Sequence, residues 1–151
     1  MADTSINLEA ERWVVENGLL SYLPGKKFAK KKIDLTWGGK FEFDAVSEDG
    51  DIVAVVSTSA ARTAAGKSAI GKYQKIKTDA LYLLHIKNEA RRVMVFTEPC
   101  MKEYFAKQAS AGRFPPNIEL LHMPLPEGLQ TKIEETRRHA SRETSPVKVA
   151  K

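Results

Sequence analysis

The chain has 151 residues, of which 42% are hydrophobic and 28% charged, as is ordinary for one globular domain that buries its own core. No apolar run approaches the roughly 20 residues that cross a bilayer, and the polar, acidic N-terminus is unlike a secretion signal. The single cysteine, Cys100, excludes an internal disulfide and a cysteine-based zinc site. We expect a cytoplasmic protein without a membrane partner.

The net charge of +5 is concentrated in two lysine clusters. The first has five lysines within seven residues and the second has four within eleven: Lys26, Lys27, Lys30, Lys31 and Lys32, then Lys67, Lys72, Lys75 and Lys77. Clustered cations suit a polyanion, because each phosphate that a cation neutralises releases a counterion. The clusters predict a nucleic-acid partner, DNA in the first place. The alternative is a basic face kept for solubility.

The chain begins with a helical pattern. Residues Ile6 to Tyr22 carry an apolar stripe at helical spacing, which predicts an amphipathic helix that ends at Pro24-Gly25. The lysine-rich stretch that follows has no clean period. It is either a loop or an edge strand from about Lys31 to Trp37, in which lysines would discourage pairing with another sheet.

The next stretch predicts a hairpin of two strands. Apolar and polar residues alternate from Phe41 to Val46, so that alternate side chains share a face. The two faces carry Phe41, Phe43 and Ala45, and Glu42, Asp44 and Val46. Glu48-Asp49-Gly50 supplies the turn, with glycine where a positive φ is needed. Ile52 to Thr58 is almost wholly apolar, which is typical of a central strand covered on both faces.

Helices and strands alternate after the hairpin. In chain order we predict a helix from about Ala64 to Leu84, a strand over Arg92 to Thr97, a helix from Pro99 to about Ala111 and a strand over Ile118 to Met123. Ala80 to Ile86 is apolar enough to be a buried strand instead, and periodicity alone does not decide between the two. Helices interspersed with a mixed sheet indicate an α/β fold, a three-layer α/β/α sandwich.

Composition changes beyond Pro126, where the chain becomes polar. From Arg137 onward it lacks the apolar residues that a packed segment needs. We therefore predict one α/β domain at residues 1–126 and a polar basic tail at 127–151, in which a frayed helix passes into disorder.

In this order of elements, and in the segments FEFDAV and IVAVVSTS, the chain resembles the PD-(D/E)XK nuclease-like superfamily. That fold is shared by many restriction endonucleases and Holliday-junction resolvases, and the resemblance covers about Leu8 to Met123. It implies an aspartate on one strand, Glu-x-Lys on the next strand and a glutamate from the first helix. In the family the carboxylates hold Mg²⁺ and the lysine helps to activate water, which is the chemistry that phosphodiester hydrolysis needs.

Only part of that set matches the family pattern. Asp44 corresponds to the strand aspartate, and Glu11, or less well Glu9, to the helix glutamate. Val55 and Ser57 stand where the family has glutamate and lysine. Val55 has no ligand atom and a serine hydroxyl is neutral, so neither residue can do that work. The resemblance therefore implies a degenerate catalytic site.

Two substitutes for the missing groups follow from the same resemblance. Members of the superfamily move an active-site group to a neighbouring element, so Lys72, or else Lys67 or Lys75, is a candidate for the catalytic lysine. Glu42 is the candidate second metal ligand beside Asp44, because alternate strand residues point the same way. The alternative reading of the helix lysines is that they contact phosphate or form a solvated face. Mg²⁺ is expected as a cofactor only if the protein is active.

The leading hypothesis is a nucleic-acid-binding protein with an incomplete nuclease site. Its expected contacts are the first lysine cluster, Lys67, Lys75 and Trp37, whose indole can stack on bases beside the cations. The rivals are an Mg²⁺-dependent endonuclease or exonuclease with a rearranged site, and an interaction or scaffold subunit. A homodimer is left open.

Overall fold

The computed structural model describes residues 5–62 and 66–144, with side chains up to residue 139. Within these residues the chain forms four helices and five strands. Helix α1 has three consecutive segments, of which the middle one is π-helical: Ser5–Trp13, Val14–Gly18 and Leu19–Tyr22. The remaining elements are β1 (Phe28–Asp34), β2 (Lys40–Ser47), β3 (Ile52–Ser57), α2 (Ile70–Leu84), β4 (Arg91–Phe96), α3 (Pro99–Ser110), β5 (Glu119–His122) and α4 (Glu127–Thr144).

The five strands form one mixed sheet in the order β1-β2-β3-β4-β5. Strands β1, β2 and β3 are antiparallel neighbours, whereas β3, β4 and β5 run parallel. The predicted hairpin is confirmed: β2 pairs with β3, and Gly50 has a φ of +79° in the turn between them. The central strand is buried as expected, since Val53 and Ala54 have no exposed surface. The protein is therefore an α/β protein with a mixed sheet.

Each face of the sheet has its own hydrophobic core. The first core lies between the sheet and α2 and α3, and its larger members include Phe43, Val53, Val55, Ile76, Leu83, Phe96 and Phe105. The second core lies between the sheet and α1 and α4, and includes Ala10, Val14, Leu19, Ala45, Ala54, Val95 and Ile133. Successive residues of β3 alternate between the two cores, as the pleat of a strand requires.

The π-helical segment adjusts the buried stripe of α1. Ile6, Ala10 and Val14 repeat every four residues, and the stripe then continues from Val15 to Leu19. A stripe with a strict four-residue repeat drifts around a regular helix, and the wider π turn corrects that drift. Gly18 ends this segment, where a Cβ atom would lie 2.3 Å from the Sδ atom of Met123.

Two element boundaries differ from the predicted ones. Strand β1 spans Phe28–Asp34 rather than Lys31 to Trp37, because a tight turn follows in which Leu35 N donates to Gly39 O at 2.8 Å. Helix α2 begins at Ile70 rather than near Ala64, and it continues through Leu84, so Ala80 to Leu84 is helical. Arg62 pairs with Ser68 and Ala69 N donates to Ala61 O, which holds the preceding segment as a loop. Residues 63–65 lie outside the described part.

The chain beyond Pro126 forms helix α4, Glu127–Thr144, and Ile133 on this helix is 1% exposed in the second core. Glu98 fixes the helix to the sheet by accepting hydrogen bonds from Gln130 and Arg137, at 2.8 and 3.1 Å. Arg137 also donates to the carbonyl oxygen of Thr58. Residues 145–151 of the tail predicted at 127–151 lie outside the described residues. No helix within 5–62 and 66–144 combines the length and apolarity that a membrane span needs.

Candidate functional site at the fork between β2 and β3

A β-bulge interrupts β2 at the candidate aspartate. From Ala29 to Lys31 the register advances two residues on β1, while from Val46 to Phe43 it advances three residues on β2. Asp44 and Ala45 together therefore oppose Lys30. The expected alternation is wrong at this point: Phe43 and Val46 belong to the first core, and Ala45 belongs to the second. Apolar letters alone do not reveal an inserted residue.

The sheet forks beside this bulge. Strands β2 and β3 pair through Ala45 with Ala54 and through Val46 with Val53. Beyond these pairs β3 continues along β4 as far as Ser57, while β2 continues along β1 as far as Lys40. The half-buried Asp44 side chain lies at the division, where its Oδ2 accepts the backbone N–H of Val56 at 2.8 Å. The Asp44 carboxylate thus accepts the Val56 N–H, which has no carbonyl partner on β2 once the two strands separate.

Glu11 of α1 reaches Asp44 from the second-core side. Burial, then the charge of Asp44, raise the pKa of Glu11 to about 7, and the two carboxyl groups share a side-chain hydrogen bond. The Nζ atom of Lys30 lies 3.6 Å from Glu11 Oε1 and lowers that pKa in part. Two carboxylates in contact repel one another, and a shared proton or a cation relieves the repulsion. The structure thus brings together the two carboxylates that the sequence predicted, Glu11 rather than Glu9.

A third acid, Asp79, approaches from α2 on the first-core side. It is 7% exposed, and the Nζ atom of Lys75 donates to its two oxygens at 2.9 and 3.1 Å. Burial, and to a smaller extent the charge of Asp44, raise the pKa of Asp79. The sequence analysis missed this residue. Its signal was an acid inside the apolar stripe formed by Ile76, Ala80 and Leu83.

Val55 and Ser57, which stand where the family has glutamate and lysine, make ordinary structural contacts. Val55 is 2% exposed and packs in the first core, next to the fork. The Oγ atom of Ser57 accepts the N–H of Ser59 at 3.4 Å, which is a local strand-end contact. Lys72 is exposed on α2, one turn before the buried Ile76. Lys75 of α2 contacts Asp79 near the fork, whereas Lys67, which was predicted on this helix, precedes it in the chain.

Glu42 is exposed on β2 and does not complete a metal cage. Among the described residues, no three His, Cys, Asp or Glu side chains converge closely enough to hold a metal ion. Glu11 and Asp44 nevertheless offer the hard oxygen atoms that Mg²⁺ prefers, and proteins bind Mg²⁺ through one or two carboxylates plus water and phosphate. The donor chemistry therefore fits a weakly held magnesium ion at this pair.

The first lysine cluster divides into paired and exposed members. Lys26 contacts Asp49 and Asp51 of the β2–β3 turn, and Lys30 contacts Glu11. Lys27, Lys31 and Lys32 are exposed on or just before β1, which is the edge strand of the sheet. Lys67 of the second cluster is exposed as well. The edge of the sheet beside the fork therefore presents cations to solvent.

Aromatic rings stack at the β1–β2 turn. Trp37 is 53% exposed, with its ring 4.4 Å from that of His85 and 6.2 Å, edge-on, from that of Tyr82. Tyr82 in turn stacks on Phe41, with centroids 4.2 Å apart. The sequence singled out Trp37 but not its two ring partners, Tyr82 of α2 and His85 directly after α2, nor Phe41 of β2, which stacks on Tyr82.

No protein-family model, no curated protein and no solved structure matches this chain. The mixed five-stranded sheet with flanking helices agrees with the architecture that the resemblance implied. Membership of the PD-(D/E)XK superfamily, and any activity that it implies, are therefore proposals.

Proposed function

We propose that the chain is a nucleic-acid-binding domain, a three-layer α/β/α sandwich of the restriction-endonuclease type with an incomplete catalytic site. Three features support this proposal. The helices and strands follow the predicted order along the chain, and the mixed sheet consists of an antiparallel meander followed by parallel strands. Asp44 lies at a bulge and a fork in the sheet, and Glu11 meets it from the first helix. Bulges are common next to active sites.

The observation that carries the binding function is the exposed lysine edge of the sheet. Lys31 and Lys32 lie on the edge strand β1 beside the fork, and Lys27 lies on the same edge next to the β2–β3 turn, where its carbonyl oxygen accepts the N–H of Glu48. Phosphates bound along this edge would run past Asp44 without any base being read, because lysines recognise charge rather than sequence. The proposal therefore favours binding through the backbone, with little sequence preference and a steep dependence on salt.

The test measures the affinity of a labelled DNA duplex over a series of KCl concentrations. Replacement of Lys27, Lys31 and Lys32 by Ala should weaken binding and reduce the salt slope by about 2 to 3. Lys30 is left intact because it contacts Glu11. The matched control removes the same charge from Lys102, Lys107 and Arg113, on and after α3, which contacts β4 and β5 rather than β1. Equal losses in the two triple variants would refute the lysine edge as the binding surface.

The incomplete site follows from what stands next to the fork. Catalysis of phosphodiester hydrolysis needs positive charge directed at the phosphorane and a metal held by several oxygen atoms. Val55 supplies neither, and it is buried in the first core next to the fork. We infer that the domain binds nucleic acid with little or no cleavage.

A second candidate function, a magnesium-dependent nuclease with a rearranged site, is favoured by the charges around Asp44. Glu11 and Asp44 would hold the metal ion, which supplies Lewis-acid activation of water and phosphate when bound. Lys30 lies 3.6 Å from Glu11, and Lys75 contacts Asp79 on the opposite side. These lysines would stabilise the phosphate in place of the lysine missing at Ser57.

A further inference from the structure

We propose that Trp37 and His85 form a stacking platform for an unpaired nucleobase, so that the protein prefers single-stranded or frayed nucleic acid to intact duplex. The inference rests on the proposed nucleic-acid function and adds to it the kind of strand that is bound. In a duplex the faces of the bases are covered by their neighbours, and only an unpaired or terminal base can stack on a protein ring.

The platform is an exposed ring supported from below. The indole of Trp37 is 53% exposed, and its nearest ring, that of His85, is 4.4 Å away and tilted by 36°. Tyr82 supports the indole from its edge and itself stacks on Phe41 at 4.2 Å. Large aromatic side chains bind flat partners with little loss of conformational entropy when their own rotamers are already fixed by packing.

The turn that carries Trp37 is fixed on both sides. Gly38, with a φ of +102°, closes the turn by donating to the carbonyl oxygen of Leu35 at 3.0 Å. The segment after α2 pairs with the same turn: Thr36 N donates to His85 O at 2.8 Å, and Lys87 N donates to Asp34 O at 2.9 Å. The backbone segments that carry the indole and its supporting histidine are therefore held together before any ligand arrives, which lowers the cost of binding.

Charge at the base of the turn favours a nucleotide over an apolar partner. Lys40 donates to Asp34 at 2.7 Å. This hydrogen bond, and to a smaller extent the charge of Lys87, lower the pKa of Asp34. Two cations and one anion leave a net positive charge at the base of the turn. Lys32 continues the positive edge along β1, opposite Glu42. A base stacked on Trp37 would place its phosphates near these lysines, which is the combination found in proteins that bind single strands.

The first experiment uses Trp37 as its own reporter. The chain has two tryptophans, so Trp13→Phe leaves Trp37 as the sole indole. Titration with an oligothymidylate should quench its emission, because a base stacked on the indole quenches it. An abasic strand of the same length keeps the phosphates and should bind without quenching. Equal quenching by the two strands would overturn the proposal.

The second experiment compares two equally exposed aromatic residues in the otherwise unchanged protein. Trp37→Ala should weaken binding of the oligothymidylate about 5- to 150-fold and leave binding of the abasic strand unchanged. Trp37→Phe should lose less. Tyr22, which is 54% exposed at the end of α1, is the matched control, and Tyr22→Ala should change neither affinity.

The outcomes separate this inference from the proposed function. Binding of both strands with no difference between Trp37→Ala and Tyr22→Ala would refute the platform and leave the lysine edge standing. A chain that binds no nucleic acid at low salt would refute both. A parent dimer that becomes monomeric in Trp37→Ala would assign the ring to a contact between two copies and overturn the stacking role.

Discussion

The side chain of Asp44 accepts the backbone N–H of Val56 at 2.8 Å, at the position where β2 and β3 stop pairing. The same side chain meets Glu11 from one face of the sheet and acts on Asp79 from the other. Asp44 therefore joins two roles. It satisfies a backbone donor at the fork, and it concentrates negative charge there.

Two substitutions separate these roles. Asp44→Asn and Asp44→Ala both remove the charge, and both relieve the repulsion of Glu11. Asn keeps an oxygen that can accept the N–H of Val56, whereas Ala leaves that donor without its partner. We expect the Asn variant to be more stable than the Ala variant by about 1 to 2 kcal/mol in urea unfolding. Equal stability would mean that water replaces the carboxylate at the fork.

The contact between Glu11 and Asp44 predicts the sign of a pH effect on stability. The pKa of Glu11 is raised from 4.5 to about 7, so the folded protein holds a proton that the unfolded chain releases. That contribution is fully present below pH 4.5 and is lost as the pH rises towards and through 7. Because the Glu11 side chain is 20% exposed, we expect a loss between about 1 and 3 kcal/mol.

The measurement is the urea unfolding free energy at pH 5 and pH 8. The variant Glu11→Gln should remove most of the difference between the two pH values, since glutamine does not titrate. The exposed Glu9 on the same helix is the matched control, and Glu9→Gln should keep the slope of the parent. Burial also raises the pKa of Asp79, so any contribution from that carboxyl to the slope has the same sign. An unchanged slope in Glu11→Gln would contradict the assignment.

The incomplete site predicts little or no cleavage of nucleic acid. Purified protein and Asp44→Ala are incubated with DNA and with RNA, in Mg²⁺ and in Mn²⁺. We expect no cleavage above background, because loss of one charge directed at the transition state alone costs about 10²- to 10³-fold in rate. Cleavage by the parent that disappears in Asp44→Ala would favour the rearranged nuclease. Glu11, Lys30, Lys75 and Asp79 would then be the next residues to replace.

Much of the fold could be predicted because buried positions recur in the sequence with the period of the helix or strand that carries them. The apolar run at Ile52–Ser57 identified the central strand, and the turn at Gly50 fixed its partner. The bulge at Asp44 could not be predicted. Apolar and polar residues alternate regularly through this part of the sequence, and the extra residue becomes visible only when β2 is paired with β1. Asp79 was missed for a related reason. The sequence shows an aspartate within a helix, but its burial and its proximity to Asp44 are known only once the helix is packed against the sheet.

The packing of Gly18 predicts an unusual response to alanine. In most helices Gly→Ala stabilises by roughly 0.5 to 1 kcal/mol. A Cβ atom on residue 18 would lie 2.3 Å from Met123 Sδ and 3.1 Å from the ring of Trp13. We expect Gly18→Ala to destabilise the protein by about 1 to 3 kcal/mol. Gly71 in α2 has open space around it, so Gly71→Ala is the control and should stabilise. Thermal unfolding of the two variants in opposite directions would confirm the contact.

The ion pair between Arg137 and Glu98 predicts how firmly α4 is held. Their side chains are 25% and 10% exposed, and Arg137 also binds the carbonyl oxygen of Thr58. Among the described residues, Arg137→Ala leaves Glu98 with a buried charge that Gln130 alone contacts, which should cost about 2 to 4 kcal/mol. The double variant Arg137→Met and Glu98→Gln should recover part of that loss in urea unfolding. A loss below 0.5 kcal/mol would mean that α4 is held by its apolar face alone.

The docking of α1 against late elements has a consequence for the chain as it leaves the ribosome. Met123, which fits against Gly18, and Ile133, which completes the second core, are made more than a hundred residues after α1 begins. A nascent chain that has reached β4 already has the fork and its lysine edge, and it can pack α1 against the sheet, but it lacks Met123 and α4, which complete the second core around that helix. The meander can fold early because its contacts are local. We expect the second core to stay partly open until α4 is made, so that its apolar surface is prone to aggregation until then.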